Sequence, residues 1–307
     1  MSGFRCSMSG FRWKTAISFA EFAGVVLILL SEPVAWSQTA ATQIDQPNRV
    51  SIEYVAPKDP GFQDLYDLLR ERRALEKIKE ILSPFRLPEE LTIRTAECGV
   101  VNCRYTRENA KPTVIICYEF LKNILDSLPK GTTPGGVTPA DAAVGQFVWV
   151  TLHEVGHAVF DIFDVPIFGN PEDAADNFAT YIMLQFGKGQ ARRLIGGAAW
   201  AWRAYLGDYQ KNPVVRMRMA EFAGAHGLPQ QRFYNLLCLA IGADPVQYAD
   251  FNRYFPPTEK RSCSFEYATL FQAFNKEILP HIDQEMARRV LDSNWLPEPE
   301  SKSLPRQ

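Results

Sequence analysis

The 307-residue chain is poor in histidine, with four in all, and its six cysteines include no CxxC pair. The missing CxxC argues against a cysteine-bound zinc, whose ligands usually come at such short spacings. No run of Lys or Arg forms a basic stripe and the formal net charge is -2, so nucleic acid is not an expected partner. The apolar run over 22–30 falls short of the ~20 residues a helix needs to cross a bilayer. No internal repeat is visible beyond the amino end. What remains, 46% hydrophobic and 22% charged residues, is the profile of a globular chain of one or two domains.

The amino end has the order of a targeting segment: Arg5, Arg12 and Lys14, then the apolar run, then a polar stretch containing proline. Ala35 and Ser37 are small residues of the kind a signal peptidase reads. Residues 1–37 are therefore expected to be a signal peptide, with an uncleaved anchor as the alternative. MSGFR occurs at both Met1 and Met8, and a start at either is compatible with this. Residues 38–58 would be a spacer or propeptide, 59–294 the functional domain, and 295–307, with three prolines, a mobile tail. An exported bacterial protein, periplasmic or secreted, is the implied setting, without a stable membrane span unless the signal stays uncleaved.

Export permits disulfides among Cys98, Cys103, Cys117, Cys238 and Cys263. Cys98 with Cys117 and Cys238 with Cys263 are the preferred pairs, leaving Cys103 over; Cys98 with Cys103 is the other option.

Helical spacing of Phe62, Leu65, Leu68, Leu69, Leu75, Ile78, Ile81 and Leu82 predicts one amphipathic helix over 59–82. Short β-like runs follow at 91–95, around Tyr105 and at 113–117. A helix over 118–128 precedes a Gly- and Pro-rich break at 131–136. Thr138, Pro139 and Asp141 read as a helix start, as do Asn170, Pro171, Glu172 and Asp173 for a helix reaching about Phe186. Further helices are expected over 191–209, 214–225, 229–241, 265–279 and 284–291. The fold class is α+β, with a small sheet before residue 137 and a mostly helical carboxyl half.

His153-Glu154-Val155-Gly156-His157 fits HExxH, whose i, i+4 spacing puts both imidazoles on one helix face to grip one Zn²⁺. Val148, Leu152, Val155, Val159 and Ile162 form an apolar stripe on a different face, so the same helix can pack in the core and line a cleft. Two of the four histidines fall in this motif. Glu172, Asp173 and Asp176 follow it closely and can supply the carboxylate that completes a catalytic zinc site.

Glu172, Asp176, Phe178 and Thr180 resemble the pattern after HExxH in thermolysin-like gluzincins. The runs HEVGHA, PEDAADNFAT and QQRFYNLLC, over roughly 98–263, are similar to a bacterial metallopeptidase family of unassigned function. The first resemblance implies Glu172 as the third zinc ligand and Asp176 as the residue orienting His153. The second implies an exported protein with a zincin-type core. The gap from His157 to Glu172 is shorter than in thermolysin-like enzymes, so residues 164–170 must reverse the chain tightly. A plain helical hairpin would instead put Asp176 level with His157; the multi-residue match favours Glu172.

Glu154 is then the general base of a zinc-dependent hydrolysis, with a peptide or protein as the expected substrate. His226 lies where gluzincins often place an oxyanion-stabilising histidine; equally, it suits a helix carboxyl end. Arg232 and Tyr234 could assist an oxyanion, but polar positions of an amphipathic helix explain them better. His281 has no expected catalytic role. Trp200, Trp202 and Tyr205 read as packing; Glu119, in the family-like CYEF, has an open role, the cleft edge being one place for it. Two other readings stay open: a zinc-binding envelope interaction protein without proteolytic activity, and a non-peptide amidohydrolase.

Overall fold

Burial that alternates residue by residue marks Leu91–Ala96 as a strand with one covered face, whereas Lys111–Cys117 is buried almost throughout, as an inner strand must be. The computed structural model describes residues 49–133, 135–204, 222–257, 261–293 and 296, all in one compact unit. The described strands are β1 (Val50–Tyr54), β2 (Leu91–Ala96), β3 (Cys103–Glu108) and β4 (Lys111–Cys117). They form one sheet in the order β1-β2-β4-β3, parallel except for the antiparallel β3–β4 pair. Asn109 and Ala110 turn that hairpin with both φ positive, the geometry of a type I′ turn. No Gly stands there, which hides the turn in the sequence.

β1 corrects the expected spacer or propeptide over 38–58. Val50 is buried and Val50–Tyr54 pairs in register with Leu91–Thr95, so the domain starts by Val50, not Asp59. The single helix expected over 59–82 is also divided. A short 3-10 turn capped by Asp59 leads into α1 (Gln63–Glu71), and Arg73, at φ 52, separates it from α2 (Ala74–Ile81). The left-handed residue interrupts the helix while leaving the apolar periodicity of both halves intact.

α3 (Tyr118–Asp126) follows β4, and then α4 (Pro139–Ile162) runs through the core. Thr138 and Asp141 make the reciprocal capping box at its start. Val148, Leu152, Val155 and Val159 of α4 are all buried, as the apolar stripe predicts. α5 (Pro171–Leu184) and α6 (Lys188–Ala204) pack against the two halves of α4. The α4–α6 contact needs glycine, and the α4–α5 contact is tight at one. A Cβ on Gly156 would meet the Phe178 ring at 3.2 Å, and one on Gly197 would meet the Asp141 carbonyl oxygen at 1.9 Å.

α7 (Pro229–Ala243), α8 (Cys263–Glu277) and α9 (Gln284–Asp292) complete the described helices. Cys238–Cys263 links α7 to α8, and Cys98–Cys117 ties the loop after β2 to the end of β4; Cys103 is free and buried. These are the preferred pairings. The expected helix over 214–225 falls mostly outside the described residues, as do the signal segment, Tyr205 and most of the tail. Leu296, inside the expected tail, is buried and its N–H donates to Gln190 at 3.3 Å. No helix among the described residues is long and apolar enough to cross a membrane.

Candidate metal centre

α4 carries His153 and His157 one turn apart with Glu154 between them, and α5 returns antiparallel beside it after a tight reversal. The reversal uses Asp164 at φ 50 and Gly169 at φ 112, both in the left-handed half of backbone space. Asn170 then caps α5, its Oδ1 accepting from the Glu172 N–H at 2.9 Å. The turn brings Glu172, rather than Asp176, opposite both histidines. His153 Nε2 lies 3.1 Å and His157 Nε2 3.3 Å from Glu172 Oε2. These three ligand-type atoms lie within 4.8 Å of one another.

Asp176, one turn further along α5, reaches the other side of the same imidazole: its Oδ1 is 2.7 Å from His153 Nδ1. With Nδ1–H donated to that carboxylate, the lone pair of Nε2 is left facing Glu172 and His157, the tautomer a metal ligand requires. Arg232 of α7 holds Asp176 in turn, donating from Nε and Nη2 at 2.7 and 2.6 Å. Its guanidinium also lies over the rings of Trp149 and Trp202, at 4.9 and 4.2 Å. Arg232 is therefore neither an oxyanion donor nor a solvated helix position: it is the buried counter-charge of Asp176. Periodicity could not reveal this, since the partner is 56 residues away.

Trp149, one turn before His153, stacks on its ring and donates to Thr180 at 3.2 Å; Thr180 in turn donates to the Asp176 carbonyl. Phe178 packs under Gly156. The two family-pattern residues after Asp176 thus serve the α4–α5 contact. His226 comes in from the segment before α7, with Nε2 2.8 Å from the same Glu172 oxygen. Asn170 positions that segment by donating to the Ala225 carbonyl at 2.8 Å. His226 is not one of the three converging ligand-type residues, and the helix that its alternative reading would cap falls mostly outside the described residues.

Tyr234 packs on Phe233 and Phe255 and donates to the Tyr254 carbonyl, away from this group. His281 stacks on Phe163 at 4.0 Å, a packing role. Trp202 packs as expected, but against Arg232 and Trp149 of the centre itself. Glu119 accepts the backbone N–H of Cys98 and of Gly99 and so organises the loop after β2 rather than standing open at a cleft. Cys98, Cys117 and Glu119 also lie close together, but the disulfide consumes both thiols.

Glu154 is 7% exposed and borders β3, the free edge of the sheet on this side. The ladder bond from Cys117 N–H to the Asn102 carbonyl sets the alternation of the β3–β4 pair. Cys103, Tyr105 and Arg107 fall at non-bonded positions, and Pro112, which has no N–H, sits opposite Arg107. Their backbone groups point off the sheet edge, and the Tyr105 amide faces Glu154. Tyr105 and Arg107 also grip Asp161 at the end of α4 through the Tyr hydroxyl and the Arg Nε. Tyr105 belongs to the site and lacked any sequence signal beyond its place in a short strand.

The two glutamates titrate in opposite directions. Burial pushes Glu154 up, against the opposing pull of His153 and the Tyr105 amide. The His153 hydrogen bond, with the other histidines, brings Glu172 down to about 2. Burial pulls His153 down, but with no metal its bonds to Asp176 and Glu172 prevail and carry it up to about 9, so that a metal on Nε2 would take the place of the second ring proton. His157 and His226 are lowered, chiefly by burial. A carboxylate with raised proton affinity beside one that stays ionised is the arrangement that separates a proton carrier from a cation ligand.

A family described as "Putative metallopeptidase" matches residues 54–278, well over half of the chain. The chain belongs to that family, and the description points to a metal-dependent peptidase. No curated protein and no solved structure matches the chain.

Proposed function

We propose that the protein is an exported zinc metallopeptidase of the gluzincin kind on a zincin-like fold, with His153, His157 and Glu172 as metal ligands and Glu154 as general base. The observation that carries this reading is the convergence of two imidazole Nε2 atoms and one carboxylate oxygen within 4.8 Å, with Glu154 buried on the same helix. The donor set fits zinc: two nitrogens and one oxygen make the three-ligand complement of catalytic sites that keep a position open. A bound Zn²⁺ supplies Lewis acidity, which makes water acidic near neutral pH and polarises an amide carbonyl.

The chain's own residues do the rest. Asp176 holds the His153 tautomer, and Arg232 keeps Asp176 ionised and fixed. Glu154 takes a proton from the attacking water at its carboxylate and delivers it to the leaving nitrogen, a task its raised proton affinity suits. The outward backbone groups of Cys103 and Arg107 and the Tyr105 carbonyl, the Tyr105 N–H being taken by Glu154, offer an extended peptide part of a strand to pair with, which favours a peptide over other amides. His226, beside Glu172 and outside the ligand triad, is placed to donate to a developing oxyanion. The two disulfides are compatible with an exported protein.

The test is metal analysis of the purified protein together with digestion of a peptide library by wild type and Glu154→Gln. About one zinc per chain in both, with cleavage by wild type reduced at least ~10²-fold in the variant, is the expected result. Zinc without any cleavage would move the protein to the non-proteolytic binding reading; an equally active variant would remove Glu154 from the mechanism.

A further inference from the structure

A second polar cluster forms where α6, the start of α4 and the 3-10 turn Ala249–Tyr254 meet, around a cavity of about 90 Å³. It contains none of the metal-centre residues, and nothing in the peptidase reading accounts for it. Four arginines line it against two carboxylates. Arg193 donates to Asp141 at 2.7 Å and Arg192 to Asp250 at 2.8 Å. Among the described residues the other two have no carboxylate within ion-pair distance: Arg203 and Arg253 both point at the Tyr254 hydroxyl oxygen, at 3.2 and 2.9 Å. Two cations thus share one neutral acceptor a few ångströms apart, a repulsive arrangement unless an anion joins them.

Donors are in surplus on the inside as well. Arg192 Nη1 and Trp200 Nε1 are buried and meet no acceptor among the described residues, which a protein interior seldom tolerates. With two N–H groups directed at its oxygen, Tyr254 has its own proton to offer. Gly135 leaves room at the rim, since a Cβ there would stand 3.3 Å from Arg253 Nη2. Arg203 and Arg253 are both exposed.

We propose that this cavity binds a small multivalent oxyanion of the phosphate type. A ligand with several acceptor oxygens and no donors of its own satisfies the Arg203 and Arg253 forks together and accepts the Tyr254 proton as well. The cavity's size restricts the bound part to a single such group, whether free phosphate or the phosphate end of a larger molecule. The site is independent of what the metal centre does.

Isothermal titration of the full protein with inorganic phosphate, phosphoserine and acetate, at constant ionic strength in chloride, tests it. One phosphate per chain should bind, and the Arg203→Gln/Arg253→Gln double variant should bind it at least about tenfold more weakly while keeping its circular dichroism and melting temperature. Acetate should bind at least about tenfold more weakly than phosphate. Phosphoserine binding as well as phosphate identifies an attached group as the natural source; binding of phosphate alone identifies the free ion. Absence of phosphate binding at millimolar concentration, or binding undiminished in the double variant, overturns the proposal. So does acetate binding as tightly as phosphate.

Discussion

Arginine meets aromatic rings in two parts of this molecule, with opposite consequences. Around Asp176 the network is complete: Arg232 is stacked over Trp149 and Trp202, gives two hydrogen bonds to one carboxylate, and that carboxylate bonds His153. Around Tyr254 the same residue types run short of acceptors: Arg203 and Arg253 lie over one ring, and among the described residues neither has a carboxylate within ion-pair distance, Asp250 being shared with Arg192. A completed network is rigid and holds ligand atoms in place for something to bind beside it. An incomplete one is itself the binding site. The difference lies in the count of acceptors, not in the arginines.

The largest effects should come from the centre the complete network supports. Glu172→Ala, like His153→Ala or His157→Ala, should abolish stoichiometric zinc, since each removes a ligand atom. Asp176→Ala should weaken zinc by only ~10- to 100-fold, the usual consequence of losing a residue that orients a ligand. A zinc titration in which Asp176→Ala is the worse of the two carboxylate variants would mean that the ligand and its orienting partner have been exchanged.

Next comes the arginine contrast itself. Arg232→Met strands a buried carboxylate and should cost about 3–5 kcal/mol in denaturant unfolding. Arg253→Gln relieves repulsion at an exposed position and, without phosphate, should stay within about 0.5 kcal/mol of wild type. Equal losses in the two variants would erase the distinction between the two regions.

The smallest effect concerns the edge strand. Slight burial opposes ionisation of Asp161, but the Tyr105 hydroxyl and the Arg107 guanidinium hold its carboxyl below the usual range. A depressed carboxylate adds stability that is fully present above its unfolded pKa of about 4 and is lost as pH falls through its folded value. Asp161→Asn should therefore melt lower than wild type from pH 5 to 7, by less than about 1 kcal/mol because the pair is exposed, and the gap should close towards pH 3. A gap that persists at pH 3 would assign the loss to packing and not to charge.

The sequence by itself determined the elements whose signals are local. The Thr138 and Asn170 caps, the apolar stripe of α4 and the i, i+4 histidines depend on neighbours within a turn or two. They place His153, Glu154 and His157 on one helix and open the next helix just before Glu172. The halving of the first helix at Arg73 and the hairpin at Asn109–Ala110 were hidden because left-handed backbone there falls on residues other than glycine. β1 was missed because a five-residue strand shows its character only when paired with Leu91–Thr95. Tertiary structure alone decided the rest. The sharp reversal at Asp164 and Gly169 selects Glu172 over Asp176, a 56-residue separation joins Arg232 to Asp176, and the meeting of α6 with the turn before Phe255 gathers the arginines. Such pairings follow from where packed helices cross, and close approach at Gly156 and Gly197 fixes those crossings in three dimensions with no periodic trace along the chain.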